Sequence, residues 1–226
     1  MDIVGVESQE QERQSREVVL HFVRHGEAKY IGGGDAEGHL TDRGREQAKK
    51  IAEEIYQQLP DGAIIEFLSS NRKRAVETVE AVARKIQELE TKQSKNLIFH
   101  NDRAKALERL GISGEITQEY LDLIAQRECP IGYWLEHPGK TPDEVQKNLG
   151  GFLRHMSRFT QNLSSGHDIH VIFAIHSGPT EVFAGRLLKD PSIGPLANCE
   201  QFTIAIPVNG RTAKVNYKDL ERQIPL

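Results

Sequence analysis

Cysteine is scarce in this chain of 226 residues. There are two, Cys129 and Cys199, and they form no C-x-x-C pair, so neither a disulfide framework nor zinc-ligand spacing is supported. A reducing, cytoplasmic compartment fits that usage. Long apolar runs are missing as well. No stretch approaches the roughly 18 apolar residues that span a bilayer, and no membrane contact is expected. The opening residues, MDIVGVESQEQERQSRE, lack the basic start and apolar run of a secretory signal. A surplus of one charge is also absent. The chain has 29 Lys+Arg against 33 Asp+Glu, a formal net charge of −4. That balance argues against a general nucleic-acid binder, because such proteins are usually basic. There is no internal repeat, low-complexity tract or interdomain linker.

What is present is an ordinary globular composition, 38% hydrophobic and 27% charged, enough for a sizeable core. Glu7 to Glu17 is polar and charged, and residues 1–16 read as a flexible N-terminal tail. Residues 17–226 read as one domain. Val18–Val23 is apolar apart from His21 and suits a parallel strand buried on both faces. The glycine-rich KYIGGGDAEGHL follows. Thr41 is the predicted N-cap of a helix carrying Ala48, Ile51, Ala52, Ile55 and Leu59 at helical spacing, and Pro60-Asp61-Gly62 ends it.

Ala63–Leu68 reads as a second strand and Ser69-Ser70-Asn71 as the start of a helix. That helix presents Val79, Val82, Ala83, Ile86 and Leu89 on one face and ends near Glu90. Leu97–Phe99 is a short third strand. Residues 101–140 are irregular, with a helix around Ile116–Gln126 and the turn-rich CPIGYWLEHPGK, and are expected to form a cap. Thr141-Pro142-Asp143-Glu144 opens a helix whose stripe is Val145, Leu149, Phe152, Leu153, Met156 and Leu163. Gly166-His167-Asp168 stops it. Ile169–His176 is the strongest later strand, Gly178-Pro179 opens a helix to about Lys189, and the chain closes in a hairpin turning at Asn209-Gly210. Strands alternating with helices predict an α/β fold, a three-layer α/β/α sandwich with a mostly parallel central sheet. Ligands then gather beyond the carboxyl ends of the strands.

The strand ends carry unusual residues. The first runs into Arg24-His25, the second into Ser69-Ser70 with Arg74 one helical turn on, and the late strand ends at His176. If these strands are neighbours, two histidines and two arginines meet at one edge, where each would be costly to bury alone. A phosphoryl group, with about two negative charges and three acceptor oxygens, is a suitable shared partner. Arginine offers it a planar donor fork. Nearby cations keep an imidazole neutral, and a neutral imidazole has the lone pair that attack on phosphorus needs.

The segment VRHGEA resembles the signature of the histidine phosphatase superfamily, the phosphoglycerate-mutase-like enzymes. HLTDRGREQA, SSNRKRAVETVEAV and VIFAIHSG are similar to further segments of that family in order and spacing, and GKTPDEVQKNLGGFL and Asn198 fit more loosely. The resemblance covers most of residues 17–220. It implies a phosphatase in which His25 is the nucleophile and forms a transient phosphohistidine. Arg24, Arg74 and His176 would bind the phosphoryl oxygens, with no metal and no cofactor. It also implies a carboxylate that protonates the leaving oxygen. In KALERLG that residue is Glu108, although the family places its leucine two residues before the acid and here it is adjacent.

Ser70 is a candidate phosphate contact or a helix cap. Arg72 and Lys73 read as a solvated helix face, and Glu27 as a loop-orienting residue. His21 and His170 read as core or sheet-face residues, whereas His100, His137, His155 and His167 show no useful spacing. Gly32–Gly34 lacks the G-K-[ST] ending of a P-loop. Mutases of the family carry an asparagine soon after RHGE and a Trp-Glu-Gly-like segment after the acid. This chain has AKYIGGG and RLGISGEI there. The expected activity is therefore hydrolysis of a phosphorylated small molecule or phosphoprotein. The alternatives are mutase-type phosphoryl transfer and a weakly active phosphate-binding regulatory domain.

Overall fold

The computed structural model describes residues 16–29, 38–100, 105–107, 143–161, 166–190 and 192–226. An eight-stranded mixed sheet organises them, in the order β10-β9-β8-β1-β7-β4-β5, with β6 also pairing β4. The strands are β1 (Glu17–Arg24), β4 (Ile64–Ser70), β5 (Ile98–Phe99), β6 (Lys105–Leu107), β7 (Ile169–Ile175), β8 (Gln201–Pro207), β9 (Thr212–Tyr217) and β10 (Leu220–Pro225). Two-residue strands β2 (Ala28–Lys29) and β3 (His39–Leu40) form a separate ladder. The helices are numbered here α1 (Asp42–Gln58), α2 (Lys73–Gln93), α3 (Asp143–Gln161) and α4 (Pro179–Leu188). None of them is long and apolar enough to cross a membrane.

The centre of the sheet is parallel: β1 pairs β7, β7 pairs β4, and β4 pairs β5 and β6. Every residue of β7 is buried, as a central strand covered on both faces requires. Alternating side chains feed two cores. Val18, Leu20, Phe22, Val171, Phe173 and Ile175 face one side, with Met156 of α3 and Phe183 of α4. Val23, Ile65, Phe67, Ile172 and Ala174 face the other, beneath Ile55 and Tyr56 of α1 and Val79 and Ile86 of α2. The predicted three-layer α/β architecture is what the chain adopts.

Local readings hold in part. Thr41 caps α1 by accepting from the Gly44 N–H at 3.0 Å, and the terminal hairpin turns at Asn209, where φ is +62°. The serines behave differently. β4 runs on to Ser70, because Ser69 and Ser70 pair with Ala106 and Leu107 of β6. Ladder pairing replaces capping, and α2 starts at Lys73 with Arg72 at its N-cap position and no side-chain cap. Three residues of Lys-Ala-Leu carry no periodicity, so β6 left no pattern to read. Beyond the parallel centre, β8, β9 and β10 are antiparallel, as the expected closing hairpin requires. Tight turns can join only antiparallel neighbours. The expected helix at 116–126, the cap at 101–140, the Thr141–Pro142 helix start and Leu163 lie almost wholly outside the described residues, β6 being the exception.

Candidate active site

The register of the parallel strands aligns their carboxyl ends. Arg24 lies beside Ile175, Ser69 beside Ala174 and Leu107 beside Ser70. The chain therefore leaves β1, β7, β4 and β6 at nearly the same height. His25 and His176 are the residues that follow on β1 and β7. The His25 N–H donates to the Ile175 carbonyl at 2.9 Å, and the two imidazole centroids are 5.2 Å apart, their planes inclined by 59°. Both rings are buried, with 6% and 4% of their surface exposed.

Hydrogen bonding fixes the protonation of His25. Its Nδ1 lies 2.8 Å from the Gly26 carbonyl oxygen, which can only accept. Nδ1 therefore carries the proton. Its Nε2 receives the Nε–H of Arg74 at 3.1 Å, and arginine can only donate. Nε2 is thus a bare lone pair on a neutral ring, directed at a buried guanidinium.

The loop that holds this ring is itself held closely. Thr78 Oγ1 accepts from the Gly26 N–H at 3.0 Å and donates to the Arg74 carbonyl at 2.6 Å, which ties the RHG loop to the first turn of α2. Asn198 Nδ2 donates to the His25 carbonyl at 3.0 Å. Gly26 and Gly44 allow β1's exit and the start of α1 to touch. A Cβ on Gly26 would lie 2.5 Å from the Gly44 oxygen, and one on Gly44 would lie 2.1 Å from the Glu27 oxygen. Glu27 orients the same corner by accepting from Thr41 Oγ1 at 2.8 Å.

Burial, then the cations of Arg74, Arg72 and Arg24, hold His176 well below the ordinary histidine range. Its Nε2 meets Ser70 Oγ at 2.6 Å. Ser70 therefore serves His176; the Arg72 N–H reaches its oxygen only at 3.5 Å. His176 Nδ1 and Arg24 Nε are buried without a hydrogen-bond partner. An orphaned buried polar atom costs about 1–3 kcal/mol, and these two stand beside one cluster of cations.

Sequence reading missed three contributors. Arg72, taken for a solvated residue, acts electrostatically on His176, because α2 begins two residues later than the serines suggest. Thr78 carried only the signal of its place in the SSNRKRAVET segment. Glu181 is 1% exposed and accepts from Ser177 Oγ at 2.6 Å, from the Leu196 N–H at 2.7 Å, and from the Gly178 N–H. The Leu196 carbonyl in turn accepts from Arg24 Nη1, so Glu181 links the turn after His176 to the anchor of Arg24. Glu108 lies outside the described residues. His21 and His170 form a separate buried pair, Nε2 to Nδ1 at 3.0 Å.

A strand-end basic cluster built on an RHG loop and a second histidine defines a class, and the family comparison agrees with it. The chain belongs to the histidine phosphatase superfamily (branch 1), whose family model matches residues 20–212. No curated protein matches the chain in sequence. Solved structures resemble it in fold. A phosphoglycerate mutase from Bacillus anthracis str. Sterne is 15% identical, with a TM-score of 0.54 over 96% of this chain and 95% of that one. A mycobacterial glucosyl-3-phosphoglycerate phosphatase complexed with VO3 is 19% identical, with a TM-score of 0.51 over 84% and 90%. The protein histidine phosphatase SixA complexed with tungstate is 13% identical, with a TM-score of 0.51 over 92% and 97%.

Proposed function

We propose that this protein is a phosphatase that hydrolyses a phosphorylated small molecule or a phosphoprotein through a phosphohistidine on His25. The supporting observation is the bare Nε2 of a neutral His25, held by Gly26 on one side and Arg74 on the other. A dianionic phosphoryl group is a stronger acceptor for Arg74 than a neutral imidazole. Substrate binding would draw the guanidinium onto phosphoryl oxygens and release the Nε2 lone pair toward phosphorus. Arg24 Nε and His176 Nδ1 supply further buried groups for the same anion.

In the proposed reaction a bond forms from Nε2 to phosphorus as the phosphorus–oxygen ester bond breaks. The leaving oxygen takes a proton from Glu108. Water then attacks the phosphohistidine and gives its proton to the Glu108 carboxylate, and inorganic phosphate departs. No step calls for a metal. The support for Glu108 is its place in the chain, directly after Leu107, which pairs with Ser70 at the rim where His176 sits.

The test compares wild type, His25→Ala and Glu108→Gln on an activated aryl phosphate and on an alkyl phosphate. His25→Ala is expected to lose both activities. Glu108→Gln is expected to lose at least about tenfold more on the alkyl ester, whose leaving group needs the proton. Retention of activity in His25→Ala contradicts the proposal. Faster interconversion of phosphoglycerates than release of phosphate by wild type would reassign the chain to the mutases.

A further inference from the structure

A groove of about 800 Å³ lies between α3, α4 and β10. It adjoins α4 from Phe183 to Lys189, so it sits toward the end of that helix remote from His176. Its apolar surface comes from side chains such as Leu153, Phe183, Leu187 and Ile224. Around them stand five cations, Arg154, Arg158, Arg186, Lys189 and Arg222, and among the described lining residues there is no aspartate or glutamate side chain. In a chain whose net charge is −4, that is a local inversion of sign.

Helix electrostatics account for part of it. Arg158 and Arg186 lie in the last turns of α3 and α4, where cations complement the helix dipole, and Arg222 Nη1 donates to the Leu188 carbonyl at 2.8 Å. These roles explain Arg158, Arg186 and Arg222 singly. They do not explain why three separate elements bring them to one concave apolar surface, where like charges repel.

We infer that this groove is a second binding site, for a small amphipathic polyanion: a molecule with an aromatic or aliphatic body and at least two negative charges. The volume falls within the range of about 300–1,000 Å³ usual for small-molecule sites. The apolar surface would take the body of the ligand, and the cationic rim its charges. Phe183 lines the groove and also packs on Phe22, with ring centroids 6.2 Å apart. Phe22 lies two residues before Arg24, so a ligand on one side of Phe183 touches the core that carries the catalytic strand.

Trinitrophenyl-ATP, an aromatic polyanion that fluoresces on binding, is a suitable probe. It would be titrated into the full-length wild type, the double variant Arg154→Glu/Arg186→Glu, the single variant Lys189→Glu and Arg74→Ala. Expected are saturable binding to wild type that weakens as salt rises, and equal binding to Arg74→Ala. A loss of about tenfold or more is expected in the double variant, and a smaller loss in Lys189→Glu. Hydrolysis of the aryl phosphate should stay within twofold of wild type in both groove variants. Lys189 is exposed, so its variant keeps the test open if the double variant fails to fold. Absence of saturable binding to wild type overturns the inference. So does binding that survives in the groove variants, or binding lost only in Arg74→Ala, which would place the probe among the strand ends. A short acidic peptide that binds the groove more tightly than the probe also overturns it, in favour of a protein partner.

Discussion

Arg74 Nε donates to Nε2 of His25 across 3.1 Å, so a cation covers the lone pair proposed to attack phosphorus. In the proposed reaction this contact orients the ring and gives way to a better acceptor when a dianion binds. Removing Arg74 should uncover the nucleophile and strip the site of its charge compensation together. Because stabilisation of developing charge is commonly the larger effect, Arg74→Ala is expected to lower kcat/KM by about 10²–10³-fold. Arg74→Lys should recover only part of this, since a lysine lacks the planar donor fork. Steady-state kinetics on an aryl phosphate provide the check; activity equal to wild type in Arg74→Ala would contradict the role.

Ser70 holds His176 at 2.6 Å. Ser70→Ala removes one hydrogen bond and leaves a cavity smaller than a water molecule. A bond of this kind contributes about 1–2 kcal/mol, so kcat/KM is expected to fall roughly tenfold, with stability lowered by about 1–2 kcal/mol as His176 Nε2 loses its buried partner. Ser70→Thr should retain more activity than Ser70→Ala. If Ser70 mattered only as a helix cap, stability would fall and kinetics would not.

Gly44 is a packing requirement for the RHG loop. Its missing Cβ would lie 2.1 Å from the Glu27 oxygen, whereas nothing stands within 4 Å of a Cβ on Gly166. Gly44→Ala is expected to lose roughly 2–4 kcal/mol along with activity, and Gly166→Ala to remain near wild type. Urea denaturation midpoints measure both.

Much of this was legible from residue patterns. Val18–Val23 and Ile169–Ile175 are nearly pure apolar runs, which only a strand covered on both faces can use. Their endings in Arg24-His25 and His176 then follow from the parallel arrangement. Ser70 reads two ways because serine at a strand-to-helix junction suits a cap and a side-chain ligand equally; pairing with β6 extends β4 through Ser70 and removes the cap. Glu181 is a first-turn acid of α4, a position that draws no notice in the sequence. Its function depends on Leu196 approaching from a distant loop, which no local pattern records. Arg72 was harder to read because the helix starts two residues later than the serines suggest, which puts it, part-buried, at the N-cap position of α2.

The buried pair His21 and His170 makes stability depend on pH. Burial lowers His21 to about 4, against a weaker opposing bond from Gln201. Burial and then the neighbouring His21 lower His170 to about 3. Above pH 6.5 both rings are neutral in the folded and unfolded states, and stability is complete. Below that value the unfolded chain takes up protons that the folded chain refuses, so stability falls until the folded values are passed. At pH 5 the loss is expected to be about 2 kcal/mol per histidine. Urea unfolding of wild type at pH 7.5 and pH 5, beside His21→Gln/His170→Gln, should show the difference shrinking by about 2 kcal/mol or more in the variant. Equal stability of wild type at the two pH values would contradict the assignment.

The most direct test of the central claim is to trap the intermediate. Wild type would be mixed with radiolabelled aryl phosphate and quenched in alkali within milliseconds, then digested and mapped by mass spectrometry. Label stable in alkali, released by acid and located on His25 is the expected result, with none in His25→Ala. Turnover with no labelled protein at any quench time, or label on another residue, would contradict it.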